Sequence, residues 1–220
     1  MYFKIFRLKK LKYLILEYAT VSEIKSPKLK SEPVLFNPIS LHNMPKKLLV
    51  KLFNELNTGI KTPKHPYRYA CLASVSEQIP IQRMVVVRNI NDNSITIYTD
   101  SRTKKVTDFI KNTNASLLFY NYEQMKQIQL KGSISVETNV NSELWDTISE
   151  KAQRDYTTNL APGTEINHPK DVAYQKEYIH FCKLTFTFSK IDYLEIKRPN
   201  HIRASFRLEN NVWDGNFIVP

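Results

Sequence analysis

Glycine is scarce in this chain, with four residues among 220. Scattered as they are, they form neither a G-x-G-x-x-G turn nor a P-loop, so the two common glycine-built phosphate cradles are excluded. Cysteine is scarcer still. Cys71 and Cys182 each lie in an apolar run that reads as a strand. Without a C-x-x-C pair or a Cys/His cluster they predict buried, inert thiols rather than a zinc site or a secreted disulfide framework. The five histidines (His42, His65, His168, His180, His201) show no metal-ligand spacing, and no metal is expected. H-E-x-x-H and G-x-S-x-G are both missing. No run of 18 apolar residues exists, so no membrane span is expected. The apolar patch Tyr13 to Leu16 is cut short by Glu17, against a signal peptide. The reading is of a cytoplasmic protein.

Charge is plentiful but uneven. The formal net charge is +11, a value that first suggests nucleic acid or a membrane surface. Residues 1–51 hold eleven Lys and Arg against three Glu, whereas the remaining 169 residues hold 21 basic and 18 acidic side chains. The near-balanced remainder argues against nucleic acid as a partner. A phosphate ligand needs only a few well-placed cations, which that remainder can supply.

Residues 1–43 are Lys-rich, carry Pro27, Pro33 and Pro38, and lack sustained periodicity after Tyr18. They are expected to form a flexible basic extension, or to be sequence upstream of a natural start at Met44. From Met44 to Pro220 the pattern is regular. Leu48, Leu49, Leu52, Phe53 and Leu56 recur at helical spacing, with Gly59 as the expected stop. Strands are expected over 69–75, 81–90 and 94–99, with Asn91-Asp92-Asn93 as a hairpin turn. A short helix should start near Thr103, followed by strands over 115–122 and 127–137. A helix over 142–153, capped by Ser142, precedes a loop over 156–169. The end reads as separate strands over 181–188, 191–196, 202–208 and 212–219. Many sequential antiparallel strands with few helices predict a mainly β fold, a small closed barrel.

Chemistry concentrates between Arg83 and Gln127. Arg83 and Arg88 flank an apolar strand and, five residues apart, point to opposite faces. Tyr98, Thr99, Arg102, Thr103, Lys104 and Lys105 crowd a strand end and a helix start, where free N–H groups and the positive end of the helix dipole suit a phosphate. A solvated basic turn has the same composition. Gln127 can both donate and accept at a heterocycle edge, or simply face solvent. Arg203 stands alone among Ile202, Ala204 and Phe206, either as a ligand contact or as an outward edge residue.

Taken in order, these pieces resemble the pyridoxamine 5'-phosphate oxidase family. The matching segments are Arg83-Met84-Val85-Val86-Val87-Arg88, Tyr98-Thr99-Asp100, Thr103-Lys104-Lys105, the stretch Asn112 to Phe119, Lys126-Gln127-Ile128 with Gly132, His201-Ile202-Arg203, and Trp213 through Pro220. Asp100-Ser101-Arg102 and Leu160-Ala161-Pro162-Gly163 are similar to the Alr4036-type branch. The resemblance implies an FMN-binding split β-barrel over residues 44–220, and a homodimer with FMN at the subunit interface. It places Arg83, Arg88, Lys104 and Lys105 at or near the FMN phosphate. Met84, Val85, Val86, Tyr98, Thr99 and Thr103 would line the site, and Gln127 and Arg203 would face the flavin from the other subunit. Polar groups at those places tune the flavin.

Three departures bear on activity. Pro199 replaces a substrate-contacting Arg of the oxidase proper, Tyr193 or Leu194 stands where a flavin-contacting Trp is expected, and the Tyr/Arg/Ser set that holds the vitamin phosphate is not recognisable between Leu144 and Tyr156. The resemblance therefore implies FMN binding more firmly than vitamin oxidation. It leaves two readings, an FMN-dependent oxidoreductase acting on a small molecule or a reductant, or a flavin-binding module without turnover. No catalytic residue is assigned.

Overall fold

The computed structural model describes residues 44–220; the expected basic extension over 1–43 lies outside the described residues. Helix α1 (Met44–Lys61) places Leu49, Leu52, Leu56 and Ile60 on one stripe, all buried, as i, i+3 and i+4 spacing requires of a helix laid on a core. The helix runs through Gly59 to Lys61, so Gly59 is not the stop. An added Cβ there would lie 2.6 Å from His65 Cε1 and 2.9 Å from Tyr67 Cβ. Gly59 is needed for close approach of the next segment, where His65 caps the short turn Pro66–Arg68 through Nδ1.

Eight antiparallel strands follow: β1 (Tyr69–Ser76), β2 (Ile79–Asn91), β3 (Ser94–Asp100), β4 (Asn114–Asn121), β5 (Lys126–Glu137), β6 (Phe181–Glu195), β7 (Ile202–Glu209) and β8 (Val212–Phe217). Their order is β3-β2-β1-β4-β5-β6-β7-β8, and β3 also pairs with β6. The first six strands thus close into a barrel, and β7–β8 extends from the far end of β6. Alternate residues fill the barrel: Leu72, Val85, Val87, Ile95, Ile97, Leu117, Phe119, Ile128, Leu130, Leu184 and Phe186 are all buried. This is the period-two pattern of strands with one buried face.

Strand β6 departs from the expected pair of strands, being continuous over 15 residues. Phe181 to Thr187 pair with β3, and Lys190 to Glu195 pair with β7. Ser189 sits where the register shifts opposite Lys131 and Gly132. A bulge of this kind bends a strand and increases its twist, which lets one strand serve two neighbours. Gly132 belongs to that bend, since a Cβ on it would run into the Thr187 carbonyl and come within 2.6 Å of Phe188 Cα.

Two helices complete the site region. Helix α2 (Lys104–Lys111) has Thr103 as its N-cap residue, and buries Val106, Asp108 and Phe109. The expected helix over 142–153 is broken into α3 (Ser142–Asp146), capped by Asn141 and not by Ser142, and α4 (Glu150–Gln153), followed by a turn at Arg154–Tyr156. Asn141 accepts from Leu144 N at 3.0 Å, and Thr147 turns its hydroxyl back to the Leu144 carbonyl. That ends the first helix before a second begins.

Candidate functional site

Up to the register shift after Val87, the odd-numbered residues of β2 turn toward the core, so Arg83 shares a side with the buried Val85 and Val87. It lies near the strand end, and its guanidinium donates to Ser74 Oγ at 2.7 Å and to the Leu72 carbonyl at 3.4 Å. From the neighbouring helix, Lys105 reaches Thr99 Oγ1 with its ammonium at 2.9 Å. Thr99 and Thr103 bring their hydroxyls to within 3.4 Å of each other. Burial pushes the pKa of Lys105 down, and the positive charge of Arg83 pushes it further down. Burial also lowers that of Arg83, against the pull of Asp108. Two half-buried cations thus stand near enough for their charges to repel, Arg83 on Ser74 and Lys105 beside the hydroxyls of Thr99 and Thr103.

This cluster meets the start of α2. Thr103 makes no side-chain cap to the helix; its hydroxyl bonds backward to the Asp100 carbonyl at 2.8 Å. Orphan N–H groups and the positive dipole end therefore face the cation cluster. Like charges held close out of water are unfavourable alone and favour a dianion between them. The chemistry of this donor set fits a phosphate, which Arg83, Lys105, Thr99 and Thr103 would hold. Ser74 and Asp108 support it and were not singled out in the sequence, where a lone Ser in an apolar strand and an Asp on a helix carry no signal. Asp108 is 4% exposed and accepts from Lys104 through Oδ1 only.

The remaining candidates divide by face. Lys104 points outward toward that Asp108 bond, its side chain 64% exposed. Val85 has its side chain in the core, so only its backbone can face a ligand. Met84 and Val86 point away from the core, Met84 being largely exposed. Arg88 is on the opposite face of β2 from Arg83, with its guanidinium carbon 5.5 Å from the centre of the Tyr98 ring. It belongs to a second cluster in which Tyr98, Phe181, Trp145 and Tyr156 stack edge to face at 4.9 to 6.3 Å. Burial raises the Tyr156 hydroxyl pKa, opposed by Arg88. Arg88 Nε is buried with no hydrogen-bond partner among the described residues.

Beside this aromatic cluster lies a cavity of about 1000 Å³ lined by Trp145, Lys151, Arg154, Thr157, Tyr174 and Lys176, among others. Arg154 stacks on the Tyr174 ring at 4.1 Å. The lining combines two aromatic rings and three cations with one acid, Glu150, and the neutral Gln153 and Thr157.

Gln127 and Arg203 are brought into one cross-strand row, Tyr120–Gln127–Leu194–Arg203, on the outward face of the sheet. Arg203 is held by Asp192 through Nε at 3.2 Å and Nη2 at 3.0 Å. The same face exposes Tyr69, Met84 and Tyr120. Among the described residues no group of acids, cysteines and histidines is placed to hold a metal, and no helix is long and apolar enough to cross a membrane.

Residues 50–138 match the family model described as pyridoxamine 5'-phosphate oxidase, FMN-binding domain. The matched stretch contains Arg83, Tyr98, Thr99, Thr103, Lys105 and Gln127, but not Arg203. Among curated proteins, a pyridoxine/pyridoxamine 5'-phosphate oxidase of Psychrobacter arcticus is 32% identical over 72 residues, 33% of this chain and 33% of that enzyme. One from another Psychrobacter species is 26% identical over 93 residues, 42% of this chain and 43% of its own length. The match thus spans less than half the length of these curated relatives. Among solved structures, a pyridoxamine 5'-phosphate oxidase-related FMN-binding protein from Nostoc punctiforme superposes with a TM-score of 0.64 at 19% identity, covering 77% of this chain and 96% of that one. PhzG from Burkholderia lata, in complex with tetrahydrophenazine-1-carboxylic acid, gives 0.62 at 16% identity, covering 86% and 100%. At these identities the two structures establish the fold, a split β-barrel.

Proposed function

We propose that this chain, whose residues 50–138 match the family model described as pyridoxamine 5'-phosphate oxidase, FMN-binding domain, is an FMN-dependent oxidoreductase that works as a homodimer. The observation that carries the reading is the Arg83–Lys105 cation pair beside Thr99 and Thr103 at the head of α2. When bound, FMN would supply the chemistry of hydride acceptance from a small substrate or a reduced nicotinamide and of electron delivery to oxygen or another acceptor. The chain's own residues bind and orient: Arg83 and Lys105 neutralise the phosphate, while the two threonines and the α2 amides donate to its oxygens.

Support for the dimer comes from the split between faces. Arg83 lies on the coreward side of β2, and Gln127 and Arg203 project from the outward side of the sheet. A second copy laid on that outward face brings its own Gln127 and Arg203 toward a ligand held by the first. The half-enclosed cavity lined by Trp145, Arg154, Tyr174 and Lys176 is the proposed seat of the substrate. Its aromatic walls and cations suit an aromatic anion.

The test is an absorbance spectrum of the purified protein, identification of any released flavin, and anaerobic reduction by candidate donors. A yellow protein that releases FMN and bleaches with a donor supports the proposal. A colourless protein that cannot be reconstituted with FMN defeats it. A yellow protein that no donor bleaches supports the alternative, a flavin-binding store, sensor or carrier. Pro199 and the missing substrate set over 144–156 favour that second reading.

A further inference from the structure

We infer that Arg102, without touching the cofactor, is the positioning residue that gives the phosphate-binding turn its affinity, by bolting residues 100–103 to the loop that follows Tyr156. This rests on the FMN reading above and adds a residue that neither the family resemblance nor the cation cluster assigns.

The geometry is two-sided. Toward its own strand, Arg102 donates from Nε to Asp100 Oδ1 at 3.1 Å and from Nη2 to Asp100 Oδ2 at 2.7 Å. Its backbone N–H also donates to Asp100 Oδ1, at 2.8 Å. Toward the loop, Nη2 reaches the Thr158 carbonyl and Thr158 Oγ1, both at 2.9 Å, and Nη1 reaches the Asn159 carbonyl at 3.4 Å. A guanidinium has five N–H groups in a fixed planar fork. Nε and Nη2 are fully engaged here and Nη1 is turned to the loop, so Arg102 has little left to offer a ligand. Asp100 is 5% exposed, and it too is occupied by this pairing.

What the bolt holds is the site itself. Asp100 follows Thr99, and its carbonyl accepts from both the Thr103 hydroxyl at 2.8 Å and the Thr103 N–H at 3.2 Å. Ser101 N donates to the His180 carbonyl at 2.7 Å, a second attachment to the far end of the same loop. The loop is itself braced: Asn159 N and Ala173 O, Gln175 N and Thr157 O, and Ala173 N and Asn159 Oδ1 are bonded. Thr99, Thr103 and Lys105 therefore hold their mutual geometry through a frame whose central member is Arg102. Groups that must converge on one phosphate lose affinity steeply when their frame loosens.

The test separates the phosphate from the rest of the flavin. Dissociation constants for FMN and for riboflavin, which lacks the phosphate, are measured by fluorescence titration on wild type, Arg102→Ala, Arg102→Lys and Asp100→Asn. Removing an orienting residue of this kind costs about tenfold to a hundredfold in ligand affinity. That loss is expected for FMN in Arg102→Ala and Asp100→Asn, with riboflavin affinity unchanged and a partial return in Arg102→Lys. Unchanged FMN affinity in both disrupting variants overturns the inference, as does a parallel loss of riboflavin. Asp100→Asn, isosteric and with its backbone contacts kept, reports on the bolt should Arg102→Ala not fold. A wild type that binds riboflavin and FMN equally, or neither, overturns the cofactor reading itself and the inference with it.

Discussion

Lys105 illustrates how a ligand site is written into single side chains at the expense of the unliganded protein. Its ammonium is half-buried beside a second cation, and both effects lower its pKa from 10.5. The folded state then binds fewer protons than the unfolded chain between that lowered pKa and 10.5, so stability rises with pH across this window and the charge opposes folding at neutral pH. Replacing the charge, as in Lys105→Met, is expected to leave the melting temperature of the flavin-free protein equal or higher. FMN affinity is expected to fall by about tenfold to a hundredfold, the loss of a charge-assisted bond of roughly 1.5–3 kcal/mol. Calorimetry with and without FMN checks both. In the wild type, affinity should decline as pH rises through the lowered lysine pKa, below 10.5, and a flat profile to that pH would contradict the role given to Lys105. The sequence named Arg83, Thr99, Thr103 and Lys105 because cations and hydroxyls crowd a strand end. It could not name Ser74 or the frame around Arg102, because their partners stand nine and 56 residues away.

At the scale of elements, the strands were legible from alternation, and the misreadings share a cause. Ser189-Lys190 is a polar pair inside an apolar run and reads as a turn, but it lies at the bend of one long strand. Gly59 reads as a helix stop because its value is set by His65 and Tyr67, which fold back on it. Thr147 interrupts the helix expected over 142–153 through a hydroxyl bond to the Leu144 carbonyl that competes with the helical ladder. The bend predicts a sharp sensitivity: Gly132→Ala forces a methyl against the Thr187 carbonyl, and overpacking of this kind costs about 1–3 kcal/mol. Urea denaturation should show a lower midpoint. An unchanged midpoint would mean that the bend relaxes freely. Helix α1 is tied by a further device, Glu55 accepting from the buried Lys126 Nζ at 3.0 Å through each oxygen. This anchors the helix to the strand that carries Gln127.

For the molecule as a whole, the outward face of the sheet is a region that the described residues leave uncovered. Tyr69, Met84 and Tyr120 are exposed there, between 43% and 65%, and half-buried Leu118 and Leu194 lie among them. A charge set into that face, as in Tyr120→Lys, is expected to convert the proposed dimer to a monomer in sedimentation and to weaken FMN binding, with little change in the melting of the monomer fold. A wild type that sediments as a flavin-loaded monomer would contradict the arrangement.

The barrel is closed by a strand that arrives late in the chain. Strands β1, β2 and β4 find both of their partners within a few dozen residues, whereas β3 and β5 each wait for β6 to supply their second partner. Pairings between distant segments carry the larger loop-closure entropy and come slowly. A nascent chain that has not yet emerged past that point has two bare sheet margins, β3 and β5, each able to pair with a stranger. Synthesis of this protein therefore passes through a sticky interval, and the residues that end it are the same ones that seat the aromatic cluster beside the flavin site.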